Sequence, residues 1–192
     1  HPPAGDPAVT AGDGDLGERR DGGGCGVGGR TAGGTDQDWG LSEGVEVKMK
    51  VGATEVLSVS AAGVSLVGGV FDASNGTAHD WSQQAIRVSA DGVTVRNATV
   101  QCSPAIGVYA VNCSQLTISG CTFADNWYSG ILVQNGGRPG TGVYDIVIDD
   151  NLVKGSSDAS NGIYVRGNSV TEFVHRVTIS GNTVTLPRNQ AG

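Results

Sequence analysis

A chain of 192 residues with 32 glycines, 5% aromatics and a formal charge of −7 is long enough for one domain with a sizeable core, built from small and β-branched side chains rather than flat ones. Its 12 Lys and Arg are scattered among 19 acids, which argues against nucleic acid, since phosphate binding needs clustered cations. No apolar run approaches the ~20 residues of a membrane-spanning helix, so no such span is expected.

Residues 1–44 lack a periodic apolar pattern, and Asp21-Gly22-Gly23-Gly24-Cys25-Gly26-Val27-Gly28-Gly29 has the composition of a flexible linker, so a Gly-rich arm or loosely ordered segment is expected. Gly12-Asp13-Gly14-Asp15 has neither the acidic spacing of an EF-hand loop nor a regular nonapeptide register, and reads as a solvated loop. The chain opens at His1 without an initiator Met or a secretory signal, as a processed or partial product would.

From residue 45 onward strands are expected. Val45, Val47 and Met49 alternate with Glu46, Lys48 and Lys50, the period-2 pattern of a half-buried edge or capping strand. A repeat follows. Val64-Ser65-Leu66-Val67-Gly68-Gly69-Val70-Phe71 aligns with Val93-Thr94-Val95-Arg96-Asn97-Ala98-Thr99-Val100 and with Leu116-Thr117-Ile118-Ser119-Gly120-Cys121-Thr122-Phe123. The same pattern returns around Ile148 and Ile179, 31 residues apart, while Gly130-Ile131-Leu132-Val133 and Gly162-Ile163-Tyr164-Val165 keep phase at a step of 32.

A period of this kind is the signature of a solenoid, whose repeats bury their apolar faces against each other. Each coil reads as three short strands, exemplified by residues 162–165, 177–179 and 183–184, with a sharp corner at Gly181-Asn182. Parallel pairing ordinarily needs a helical crossover. A coil of 23 to 31 residues rich in β-branched side chains has no room for one, and a coiled parallel β-helix of about five coils resolves the conflict. Gly69, Ala98, Cys121, Asn151 and Asn182 share one corner position, where Asn tolerates left-handed backbone and an amide ladder between Asn151 and Asn182 is expected. The four cysteines have no CxxC spacing, which argues against metal or redox use. Two of them could pair across neighbouring turns, and buried free thiols are the preferred reading.

The strings at 93–100, 116–123 and 177–184 resemble the repeats of right-handed parallel β-helix proteins of the pectin-lyase-like superfamily, over about residues 56–186. The glycine-rich, acidic style is also similar to β-helix segments of minor tail and tail-spike proteins of phages infecting actinobacteria. The resemblance implies an all-β fold: a right-handed parallel β-helix solenoid over 45–192, preceded by the arm. It spans many activities, from polysaccharide lyases and glycoside hydrolases to surface adhesins and phage tail spikes, so function has to be argued from side chains.

In that superfamily the substrate groove runs along the first strand of each coil. Counting outward positions puts Arg87, Gly107, Leu132 and Tyr164 on one column and Ser89, Tyr109, Gln134 and Arg166 on the next, with no carboxylate on either. Inverting glycosidases need two carboxyl groups about 6.5–9.5 Å apart. Asp125 and Asp158, in loops one coil apart, are the best-placed pair, and a lyase would add bound calcium and an Arg base such as Arg166 or Arg87. Solvated loop carboxylates are the plainer reading of both acids, as a solvated corner is of Asp149-Asp150 and a solvated loop is of His79 and His175.

Binding is better supported. Tyr109, Trp127, Tyr128 and Tyr164, flanked by the amides of Asn126, Gln134 and Asn161, offer the flat faces and hydrogen-bonding groups that sugar rings require. The competing reading has Trp127 covering the end of the core. The expectation is therefore an extracellular or virion-surface module that recognises a polysaccharide or surface glycan, with no metal, no cofactor unless it is a calcium-using lyase, and a purely structural spacer as a further alternative. The ends of a β-helix need caps, further coils or partner subunits, and the last residues, 186–192, lie where another coil would begin, so a truncated chain or a homotrimeric assembly is expected.

Overall fold

The computed structural model of the chain describes residues 47–49, 55–73, 83–138, 140, 142–155, 161–169 and 171–185. The Gly-rich segment 1–44, Cys25, His79 and Asp158 lie outside the described residues. Strands are short because a turn signal arrives every few residues, and they are strands because Val, Ile and Thr fit a pleated surface.

A short strand β1 (Val47–Met49) precedes five coils of three strands each. The coils are β2 (Glu55–Val59), β3 (Ser65–Val67) and β4 (Val70–Asp72); β5 (Gln84–Val88), β6 (Thr94–Arg96) and β7 (Thr99–Gln101); β8 (Ile106–Val111), β9 (Leu116–Ser119) and β10 (Thr122–Asn126); β11 (Ser129–Asn135), β12 (Val143–Asp149) and β13 (Leu152–Gly155); and β14 (Asn161–Gly167), β15 (Val174–Ser180) and β16 (Thr183–Thr185). Equivalent strands pair in parallel into three sheets: β2-β5-β8-β11-β14, β3-β6-β9-β12-β15 and β4-β7-β10-β13-β16. Strand β1 extends the first sheet antiparallel to β2, with Val47 opposite Val59, which is the expected edge strand. Among the described residues no helix is long and apolar enough to cross a membrane.

The core is a column enclosed by the three sheets. Leu66, Val95, Ile118 and Ile148 stack in the second sheet, and Phe71, Val100, Phe123 and Val153 in the third, all at most 4% exposed. The next rung differs: Ile179 is 51% and Val184 is 44% exposed, so the column is open at its C-terminal end among the described residues.

Two of the corners of each coil are marked by columns of residues with left-handed backbone. Gly63, Gly92, Gln115, Asp145 and Arg176 form one such column, ahead of β3, β6 and β9 and inside the longer β12 and β15, and Gly68, Asn97, Gly120, Asp150 and Gly181 form another after the second sheet, with φ between 51° and 75°. At the second corner the residue that follows is the expected column Gly69, Ala98, Cys121, Asn151 and Asn182. The asparagine ladder exists: Asn182 Oδ1 accepts from Asn151 N and Nδ2, both at 2.9 Å, and Asn151 Oδ1 accepts from Cys121 N at 2.9 Å. The left-handed residue, however, is the one before each asparagine, because the corner needs two residues and the amide must point inward along the stack.

Cys113 and Cys121 are buried free thiols, and burial pushes the Cys113 thiol up to about 12. Cys102 departs from the preferred reading, being disulfide-bonded.

Candidate functional site

The register of the first sheet decides which side chains share its outer face. Arg87, Tyr109, Leu132 and Tyr164 stand level with one another, and Val111, Gln134 and Arg166 form the adjacent column, with Ser89 at the same level. This corrects the sequence count, which had put Gly107 beside Leu132 and Tyr109 beside Gln134. The cause is a bend shared by the first-sheet strands, where Gly107 aligns with Gly130 and Gly162 and faces the interior. A Cβ on Gly107 would lie 2.6 Å from Gly130 O, and one on Gly130 would lie 2.7 Å from Val153 Cγ1. Counting the inward Gly107 as outward entered the third coil two residues early, so Tyr109 was set level with Gln134 when it stands level with Leu132, while the outward positions Tyr109, Leu132, Gln134, Tyr164 and Arg166 themselves stand.

Outside the barrel, a second apolar cluster sits on this face. Ala105, Ile106 and Leu132 are at most 3% exposed beneath the half-buried rings of Tyr109, Trp127, Tyr128 and Tyr164. Four expected binding residues are thus brought together. Trp127 and Tyr128 occupy the turn between β10 and β11, which is pinned to the previous coil by Trp127 N to Ser103 O at 2.9 Å and Tyr128 N to Ala105 O at 2.7 Å. Their ring centroids are 6.4 Å apart. Trp127 accordingly packs on the flank of the solenoid and does not plug its end.

Polar groups rim the rings. Arg87 Cζ lies 5.5 Å from the Tyr109 ring centroid, and Arg166 Cζ 5.6 Å from that of Tyr164, within cation–π range. Gln134 Oε1 accepts from Arg166 Nε at 3.2 Å and Nη2 at 2.8 Å, while its Nε2 donates to Asn168 Oδ1 at 3.2 Å. Tyr109 OH also reaches Gln134 Oε1 at 3.5 Å. Sequence reasoning passed over Asn168 and the stacking role of Arg87. Aligning Gly107-Val108-Tyr109 with Gly130-Ile131-Leu132 and Gly162-Ile163-Tyr164 would have shown the shared column.

Asn126 is the exception among the expected binding residues. It is 2% exposed; its Nδ2 donates to Val100 O at 3.1 Å and its Oδ1 accepts from Ser103 N at 3.0 Å. The amide closes a third corner from within, because a bulge between Ala124 and Asn126 turns it inward, and it is not presented at the surface.

Asp125 lies in that bulge with φ 53°, half-buried, away from the two outward columns. Arg166, on the face, directs its guanidinium at a neutral amide and a ring. With Asp158 outside the described residues, the proposed acid pair is not assembled among them. Asp149 is the last residue of β12, accepting from Ser180 Oγ at 2.5 Å, and Asp150 makes the corner, so this pair is where the sequence put it. His175 packs against Tyr144 and Phe173 on the second sheet's side of the coil. The perturbed carboxylates serve the frame: Arg138 holds Asp91 below the usual range through a two-pronged contact at 2.9 and 3.0 Å, and Arg176 does the same to Asp145. Among the described residues no three His, Cys, Asp or Glu side chains converge as metal ligands would.

A family model described as "Right handed beta helix region" matches residues 46–191. No curated protein and no solved structure matches the chain.

Proposed function

The chain belongs to the right-handed β-helix family, and on that premise we propose that it is an extracellular or virion-borne module that recognises glycans along the outer face of its first sheet. The observation that carries this reading is the set of rings on that face. Tyr109, Trp127, Tyr128 and Tyr164 cover an apolar floor of Ala105, Ile106 and Leu132, with amide and guanidinium groups at the rim. Sugar rings present apolar C–H faces and hydroxyl edges, and this combination offers a partner to each. Tyr109 and Tyr164 stand on paired strands, and Trp127 and Tyr128 on a turn pinned by backbone hydrogen bonds, so little backbone freedom is lost on binding. The disulfide at Cys102 fits an oxidising compartment such as the cell exterior or a virion surface.

The test is a glycan array or polysaccharide pull-down with the wild-type protein and the double variant Trp127→Ala, Tyr164→Ala. Aromatic contacts of about 0.5–1.5 kcal/mol each predict a loss of roughly tenfold in affinity. Binding that survives the double substitution in a folded protein sinks the proposal, and absence of binding by the wild type leaves the spacer reading in its place.

A further inference from the structure

We infer that Cys102 is cross-linked to Cys25, so that a disulfide fastens the Gly-rich first 44 residues to the solenoid at the corner between its second and third coils. The cysteine count leaves one partner. Four cysteines are present, Cys25, Cys102, Cys113 and Cys121. Cys113 and Cys121 are free thiols, whereas Cys102 is disulfide-bonded. Cys25 lies outside the described residues, and it is the one sulfur left in the sequence to close the bond.

Burial keeps the other two thiols out of exchange. Cys113 and Cys121 are at most 1% exposed, and loss of solvent raises both thiols, Cys113 to about 12. The Cys121 Sγ is directed at the carbonyls of Ser119 and Val95, at 3.4 and 3.6 Å. Disulfide exchange proceeds through an accessible thiolate, which neither residue supplies. Cys102 is placed differently. It is half-buried, with φ 56°, where the chain turns from β7 towards β8, and its N–H is held by Ala124 O at 3.0 Å. In forming the bond each thiol loses a proton, and the two sulfurs together give two electrons to the disulfide of an exchange catalyst, which is reduced to its dithiol.

Reach poses no obstacle. Residues 26–46 separate Cys25 from β1, and a stretch of that length extends to about 70 Å. Strand β1 is two strand spacings from β5, the first strand of the coil that ends at Cys102, or ~10 Å along the axis. Position gives the link its consequence. The next residue, Ser103, accepts the Trp127 N–H at 2.9 Å and donates its own N–H to Asn126 Oδ1 at 3.0 Å. The first 44 residues are thus joined one residue away from the backbone that seats the ring-bearing turn, at the edge of the first sheet's outer face.

The experiment maps the bond in the full chain, exported to an oxidising compartment such as the bacterial periplasm, alkylated with N-ethylmaleimide and digested without reductant. Trypsin with chymotrypsin separates the cysteines: residues 21–30 carry Cys25, 97–109 carry Cys102, and 110–123 carry Cys113 and Cys121. The expected product is 21–30 joined to 97–109, split by reduction, with both cysteines of 110–123 alkylated. Thiol titration in denaturant should count two thiols per chain in the wild type and three in either Cys25→Ser or Cys102→Ser, a readout that holds whether or not a variant folds. Recovery of Cys102 alkylated, joined to 110–123, or joined to a second 97–109 in a covalent dimer overturns the inference, as does a wild-type count of four. The glycan reading rests on the rings and stands in each case.

Discussion

Asn151 shows how much of this fold hangs on single polar side chains. Buried at the second corner, it accepts the Cys121 N–H with Oδ1 and donates to Ile118 O and to Asn182 Oδ1 with Nδ2, tying three coils together. An alanine there leaves a buried N–H and a buried C=O without partners, at ~1–3 kcal/mol for each. Asn151→Ala is therefore expected to lower unfolding stability by about 2–4 kcal/mol in urea titrations, and Asn182→Ala, on the half-exposed last rung, by roughly half as much. A cost under about 1 kcal/mol for Asn151→Ala would show that the ladder is not a main support. Asparagine repeated at a β-solenoid corner was readable as a ladder. Which residue turns the chain was not, because the left-handed column that begins at Gly63 and Gly92 continues through Gln115 and Arg176, residue types that carry no sequence signal for such angles.

Among the elements, the strands of the first sheet are the ones whose faces matter for a ligand, and the loop from β11 to β12 is what braces them. Arg138, from that loop, reaches Asp91 at the corner after β5, while Asn135 accepts from Arg138 N and donates to Arg138 O. Because Arg138 lowers the folded-state value of Asp91, the contact stabilises fully above the ordinary aspartate value of ~3.9, and its contribution disappears as pH falls through the lowered one. The pair is about a third exposed, so solvent screening holds it to ~1 kcal/mol. Wild type should then exceed Asp91→Asn by about that much in denaturant titrations at pH 7, and the two curves should converge only as the pH falls below the ordinary aspartate value and through the lowered one. A constant gap across the range would mean that Asp91 acts by packing and not by charge. At this scale the sequence placed three strands in each coil correctly. It miscounted the outward columns at Gly107, since a bend that turns one side chain inward has no alternation signal, although the repeated Gly-Val/Ile pair marks its place.

Across the whole molecule, protection should follow position along the solenoid axis. Each coil is stabilised by its neighbours, and the fifth has one described neighbour while the second, third and fourth have two. Its inward residues are correspondingly bare, and an open hollow of about 430 Å³ lies among Ile163, Ile179 and Val184. Hydrogen exchange is expected to be at least tenfold faster for amides of β14–β16 than for those of β8–β13. Uniform protection along the stack would count against a core open at that end. The sequence alone determined the solenoid, its coil count, its three strands per coil and the column of corner residues, because each of these is a local pattern repeated in phase. Tertiary structure decided the partnership of the four rings, the inward turn of Asn126 and which side chains of successive coils stand level on the first sheet's outer face. Those properties depend on which residues of successive coils stand level, and register is set by bends and bulges that pack against the core rather than by the identity of the residues they displace.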